Sequence, residues 1–147
     1  MTKLEVYLEL WEYLRTYGIK TIKAIEEAEA WNYRLSANEF SAEETFRHAV
    51  KAIYEDAGNW FLKDATRFKP TESPLNDLNS SIDRMQSAIQ DFSDNYLYTI
   101  FTFQWGEKTT IGGAIRQNLF HAFGHFSQLR NWVGVYKRSE SRAVEKA

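Results

Sequence analysis

Apolar side chains in this chain recur at three- and four-residue steps, and that period constrains what it can fold into. Leu4, Tyr7, Leu8, Trp11, Leu14, Ile19, Ile22 and Ile25 form one such stripe. Phe46, Ala49, Val50, Ile53, Trp60 and Phe61 form a second, and Leu75, Leu78, Ile82, Met85, Ile89 and Phe92 a third. A fourth runs from Ile111 through Ile115 and Leu129 to Val133. A stripe of this period is the buried face of an amphipathic helix. Start signals agree with the pattern. Ser41-Ala-Glu-Glu44 reads as a capping box, Ser73-Pro74 as a capping serine before a first-turn proline, and Thr109 or Thr110 can cap the last helix. The spacing predicts helices over approximately 3–30, 42–64, 74–95 and 110–136, with a charged, aperiodic tail at 137–147 that is expected to fray. Between the third and fourth helices, residues 96–108 are aromatic and β-prone and read as a structured loop with room for a short extended or helical piece. Four long helices without a convincing sheet make an all-α four-helix bundle the expected fold.

A length of 147 residues is suited to a single domain with one core. Aromatic residues reach 16%, so the core or an interface must be rich in rings. A net charge of −2 and the lack of any basic run argue against a nucleic-acid partner. No apolar run approaches the roughly 18 residues that span a bilayer, and no leader-like pattern opens the chain, so neither a membrane partner nor export is expected. A cytoplasmic location follows as the expectation. With no cysteine, the chain can form neither a disulfide nor a thiolate metal site.

The three histidines carry the chemistry. His121 and His125 stand four residues apart, which on a helix puts both on one face a turn apart. That spacing lets a helix offer two imidazoles to one metal ion. On a wheel of about 100° per residue, Ala114 and Trp132 lie within roughly 40° of His121, which places the pair on the core-facing stripe near its edge. His48 lies at the edge of the second helix's stripe, sharing its side with Ala52, Glu55 and Asn59. By spacing and phase alone, the three are either core imidazoles or ligands of an open metal site. Phe120 and Phe123 fall off the core stripe beside Gly124, which points to a surface covered by a second subunit.

The last helix, Thr110-Ile-Gly-Gly-Ala-Ile-Arg-Gln-Asn-Leu-Phe-His-Ala-Phe-Gly-His-Phe-Ser-Gln-Leu-Arg130, resembles that of the DinB-like (damage-inducible, bacillithiol-transferase-related) family. The resemblance lies in His121-x-x-x-His125 followed by Gln128-Leu129, in the earlier Thr45-Phe-Arg-His48-Ala-Val, and in the Trp105-Gly-x-x-Thr-Thr-Ile-Gly lead-in. It implies an up-down-down-up four-helix bundle of the DinB/YfiT-like metalloenzyme type, often a homodimer. The implied ligands are His48, His121 and His125, holding one divalent ion per chain, zinc or nickel ahead of iron, manganese or cobalt. It further implies an enzyme that transfers a low-molecular-weight thiol to a small-molecule electrophile. The lack of cysteine fits, because the thiol must then come from a cosubstrate. Glu55, two turns from His48, is a candidate to orient a ligand or act as general base, although a solvated or salt-bridged glutamate is the reading its position favours. Asn59, Gln104, Trp105, Asn118 and Gln128 are candidate pocket residues. A metal-dependent hydrolase and a non-enzymatic dimeric stress or metal-binding protein remain as alternatives.

Overall fold

A computed structural model describes residues 1–146, with side chains through Val144. Four helices dominate: α1 Lys3–Glu27, α2 Ala42–Asp56, α3 Pro74–Ile89 and α4 Ile111–Lys146. A small antiparallel hairpin, β1 Ile100–Thr102 and β2 Lys108–Thr110, precedes α4, pairing Ile100 with Thr110 and Thr102 with Lys108. The chain is thus mostly helical rather than wholly so. The hairpin forms where aromatic and β-branched residues alternate around Gly106, whose φ of +94° suits a residue without a Cβ.

Helices two to four start at the expected caps, and α1 at one not anticipated from the sequence, Thr2, which accepts from Glu5 N–H in a capping box. Ser41 Oγ accepts from Glu44 N–H at 3.1 Å, and Ser73 Oγ accepts from Asn76 N–H at 3.1 Å. Thr110 Oγ1 does the same for Gly113 N–H at 3.0 Å. Each bond satisfies a donor that the first helical turn would otherwise leave open.

Helix ends depart further from the apolar pattern. α1 stops at Glu27 because Glu29 adopts φ +51°, letting Ala30 N–H bond Ile25 O and Glu29 N–H bond Glu26 O. This is a Schellman stop built without glycine, so no residue type announces it. α3 ends at Ile89, not near 95. α4 continues through the charged residues 137–146, where fraying is expected from sequence. Its packed part ends at Tyr136, which meets Tyr33 at 5.1 Å, and beyond it Lys, Arg, Glu and Ala sustain an exposed helix by their own propensity.

The end of α2 shapes the site. From Ala57 to Leu62 the helix widens into a π-helical turn, closed by Lys63 at φ +52°. Gly58 makes this turn possible: a Cβ there would lie 2.2 Å from Asp64 O and 2.5 Å from Arg84 Nη2. Arg84 of α3 holds the chain on both sides of the turn, with Nε donating to Tyr54 O at 3.1 Å before it and Nη2 donating to Asp64 O at 3.4 Å after it.

α1 packs against α3 and α4, and α2 packs against the same two helices. The core between them holds Trp11, Leu14, Ile25, Ile53, Leu78, Ile82, Met85 and Leu119, all essentially inaccessible. Phe46 of α2 stacks on Phe126 of α4 with centroids 5.7 Å apart. Phe123, off the expected stripe, packs beside Tyr13 and Tyr17 of α1, whereas Phe120 stays 66% exposed. Among the described residues, no helix is long and apolar enough to cross a membrane.

Gly58 and Gly124 should respond oppositely to alanine. Gly58→Ala is expected to cost about 2–3 kcal/mol in urea unfolding, because the new methyl meets backbone and guanidinium. Gly124→Ala, where a Cβ meets nothing within 4 Å, should instead raise stability by about 0.5–1 kcal/mol.

Candidate metal centre

The seam between α2 and α4 brings the three histidines together. One nitrogen from each of His48, His121 and His125 lies within 4.8 Å of the others, and the group could hold a metal ion. The Nε2 atoms of His121 and His125 are 3.1 Å apart, and their ring centroids are 4.5 Å apart. His48 comes from the facing helix, its centroid 5.4 Å from that of His121 and 5.1 Å from that of His125. Imidazoles about 2.0–2.1 Å from a tetrahedral ion would stand about 3.4 Å apart, so small ring movements bring this set into range.

The wheel reading turns these histidines toward the bundle interior, and here the structure corrects it. His48 and His121 are exposed and His125 half-buried, at the rim of the α2–α4 seam. The core stripe below them is already filled by Ala49, Ala122 and the Phe46–Phe126 stack. A wheel gives an angle but not the depth at which two helices touch, so edge positions look deeper than they are. The packed side of each ring still matters. Burial, then the nearby His125 and Lys51, hold the His48 imidazolium below its ordinary range. Burial, then His125 and His48, do the same for His121. Both rings are therefore disposed to be neutral at neutral pH, the form that offers a lone pair to a metal. Gln128 Oε1 sits 3.3 Å from His125 Nδ1, on the nitrogen facing away from His121. An outer contact of that kind orients a ligating imidazole.

A groove of about 220 Å³ opens beside His48 and His121. Its walls are Ala52 and Asp56 of α2, Trp60 of the π-helical turn, Gln117 and Asn118 of α4, and Gln104 and Trp105 of the hairpin turn. His48, Ala52 and Asp56 step along α2 at four-residue intervals. The wider π-helical turn rotates each residue by less than an α-helix does, which brings Trp60 over the same line. Trp60 Nε1 donates to Gln104 Oε1 at 3.1 Å and so fastens the hairpin over the groove. Trp105 is stacked on the buried Phe103 at 4.4 Å, nearly parallel. On the far side of His48 a shallower cavity of about 430 Å³ is lined by Phe40, Arg47, Lys51, Phe68 and Pro70 among others.

The candidate pocket residues divide. Gln104, Trp105 and Asn118 line the groove, and Gln128 touches His125. Asn59 is exposed on the π-helical turn and does not line it. Glu55 turns the other way, accepting from Phe68 N–H at 3.1 Å in the connection between α2 and α3. The carboxylate in the groove is Asp56, which the sequence reading passed over. Its Oδ2 accepts from Asn118 Nδ2 at 2.8 Å, and burial pushes its pKa up from 3.8 to about 6 despite that bond, with Glu55 adding repulsion. Its sequence signal was its place eight residues after His48. The seven-residue step to Glu55 is nearer in angle to His48, but on the side away from α4.

Because the folded-state pKa of Asp56 lies above its ordinary value, the folded protein holds an extra proton between about pH 4 and pH 6. Folding stability therefore falls as pH rises through that window, and the full penalty applies above it. In metal-free protein, Asp56→Asn should raise stability by about 1–2 kcal/mol at pH 7.5, allowing for solvent screening in the open groove. The gain should vanish below about pH 4 when urea unfolding is followed against pH.

Compared with protein-family models and with curated proteins, the chain matches none.

Proposed function

We propose that this chain is a DinB-like, metal-dependent enzyme that transfers a low-molecular-weight thiol to a small electrophile, with His48, His121 and His125 as the metal ligands. The observation that carries the reading is the convergence of three imidazole nitrogens at the mouth of a groove. Three neutral ligands on a solvent-facing rim leave room for a further ligand, as in catalytic rather than structural sites. A divalent ion held there would supply Lewis acidity and stabilise a thiolate. The imidazole set suits zinc or nickel first, and iron, manganese or cobalt after them. The chain's own residues supply binding: Trp60 and Trp105 wall the groove, and Gln128 steadies His125.

The proposed fold is the up-down-down-up four-helix bundle. Its support lies in how residue numbers run across each seam. Tyr7 meets Arg116 and Tyr17 meets Ser127, so α1 and α4 ascend together. Glu12 meets Gln86 and Gly18 approaches Leu78, an opposed pair. Phe46 and His48 lie by Phe126 and His125 while Asp56 lies by Asn118, again opposed. A homodimer belongs to the same proposal, with Phe120 and Tyr13, 66% and 61% exposed, on the face that a second copy would cover.

Asp56 favours a second reading, metal-dependent hydrolysis, since a carboxylate with a pKa of about 6 can accept a proton from an attacking water near neutral pH. Turnover by metal-loaded protein separates the two: consumption of an electrophile that depends on added thiol supports transfer, and cleavage of an ester without thiol supports hydrolysis.

Protein purified without chelator should carry about one divalent ion per chain. His121→Ala or His48→Ala should lower metal affinity by about 100-fold or more, and Gln128→Ala by about tenfold, measured by competition with a chromophoric chelator. Wild-type protein that holds no stoichiometric metal after reloading would overturn the proposal.

A further inference from the structure

Two side chains on the groove wall are short of donors among the described residues. Asp56 is a partly buried carboxylate whose Oδ2 takes one hydrogen bond, from Asn118 Nδ2. Among the described residues, no lysine or arginine forms an ion pair with it. Asn118 is only 2% exposed, and among the described residues its Oδ1 has no partner. The amide cannot relieve this by flipping. Its Nδ2 faces Asp56 Oδ2 and, at 3.5 Å, Ala52 O, so the flipped form would set its oxygen against two acceptors. A buried acceptor without a donor is costly, and a desolvated carboxylate without a cation more so. Both lacks lie on the same wall of the same groove, beside His48 and His121.

We propose that this wall is a subsite for a protonated amine, in which an ammonium group donates to the Asp56 carboxylate and to Asn118 Oδ1. The small molecule handled at the histidines therefore carries an ammonium group, an aminothiol or an amine-bearing electrophile in the terms of the function proposed above, on which this inference rests. Donor count and charge select that class. A hydroxyl offers one O–H, whereas an ammonium offers three N–H groups and the missing positive charge. A carboxylate or phosphate at the same place would meet the charge of Asp56. Gln104 Oε1, another acceptor on the groove wall, is already engaged by Trp60 Nε1. Trp60 and Trp105 give the cation an aromatic surround, a setting that favours ammonium over neutral groups. At about 220 Å³ the groove suits a short chain rather than a bulky ligand.

The test compares short ω-aminoalkanethiols of increasing length with the matching ω-hydroxyalkanethiols, titrated into cobalt-loaded wild type and Asp56→Asn. Binding is read from the cobalt visible bands, and thermal unfolding checks that the variant is folded. In wild type, the best aminothiol should bind about tenfold or more tightly than its hydroxy counterpart. In Asp56→Asn the preference should shrink to about twofold or less, with cobalt stoichiometry unchanged. No amine preference at any chain length, or a preference that survives in Asp56→Asn, would overturn the proposal. Should the protein bind no cobalt, the metal reading fails and the subsite is still decided in metal-free protein. There, butylammonium should shift the tryptophan emission of wild type at lower concentration than butanol does, and this difference should disappear in Asp56→Asn. Equal responses to the two probes would overturn the subsite independently of the metal.

Discussion

The seam between α2 and α4 holds the candidate site together. Phe46 stacked on Phe126 sets how closely the two helices approach, and each ring stands within two residues of a histidine. Two turns further along α2, Asn118 reaches across to Asp56 and Ala52 and fixes the register of one helix against the other. With both spacing and register set, His48 has little choice but to face His121 and His125. The imidazoles need no long loop to position them, and a site built on packed helices is held more tightly than one built on loops. The same seam places the rings at the rim, where burial on one side favours the neutral form of His48 and His121 and the other side is open to a ligand.

What closes the groove is local irregularity. A continuous α-helix after Asp56 would carry Trp60 around the helix, away from the histidine line, whereas the π-helical turn returns it. The turn exists because Gly58 tolerates an approach that no side chain could, and because Arg84 secures it to α3. The hairpin is tied to the turn through Trp60 and Gln104, so two departures from regular structure support one another. Such π-helical insertions cost hydrogen-bond geometry and concentrate where a side chain must be re-aimed.

Much of the helical framework was readable in advance. The four apolar stripes and the serine and threonine caps specify where helices begin, because a missing N–H partner is supplied by a side chain three residues away. Their ends were less legible: α1 stops on Glu29 in a left-handed conformation, and α4 runs on through charged residues that never touch the core. The site followed the same division. Spacing alone pairs His121 with His125, but the choice between Glu55 and Asp56 depended on which side of α2 meets α4. Glu55 is nearer to His48 in angle and yet bonds Phe68, because the neighbour on that side is the connection to α3.

The amino-acid sequence by itself determined the helical period, the cap positions, the absence of thiols and the presence of three imidazoles at helical spacing. These depend on residue type and on separations of a few residues, which local backbone geometry converts directly into structure. Tertiary packing decided the rest: that His48 reaches the other two, that the three lie at a rim rather than in the interior, and that Asp56 and Asn118 share a groove with them. Those outcomes depend on the distance and register between helices far apart in the chain, which are set by how rings such as Phe46 and Phe126 pack against each other.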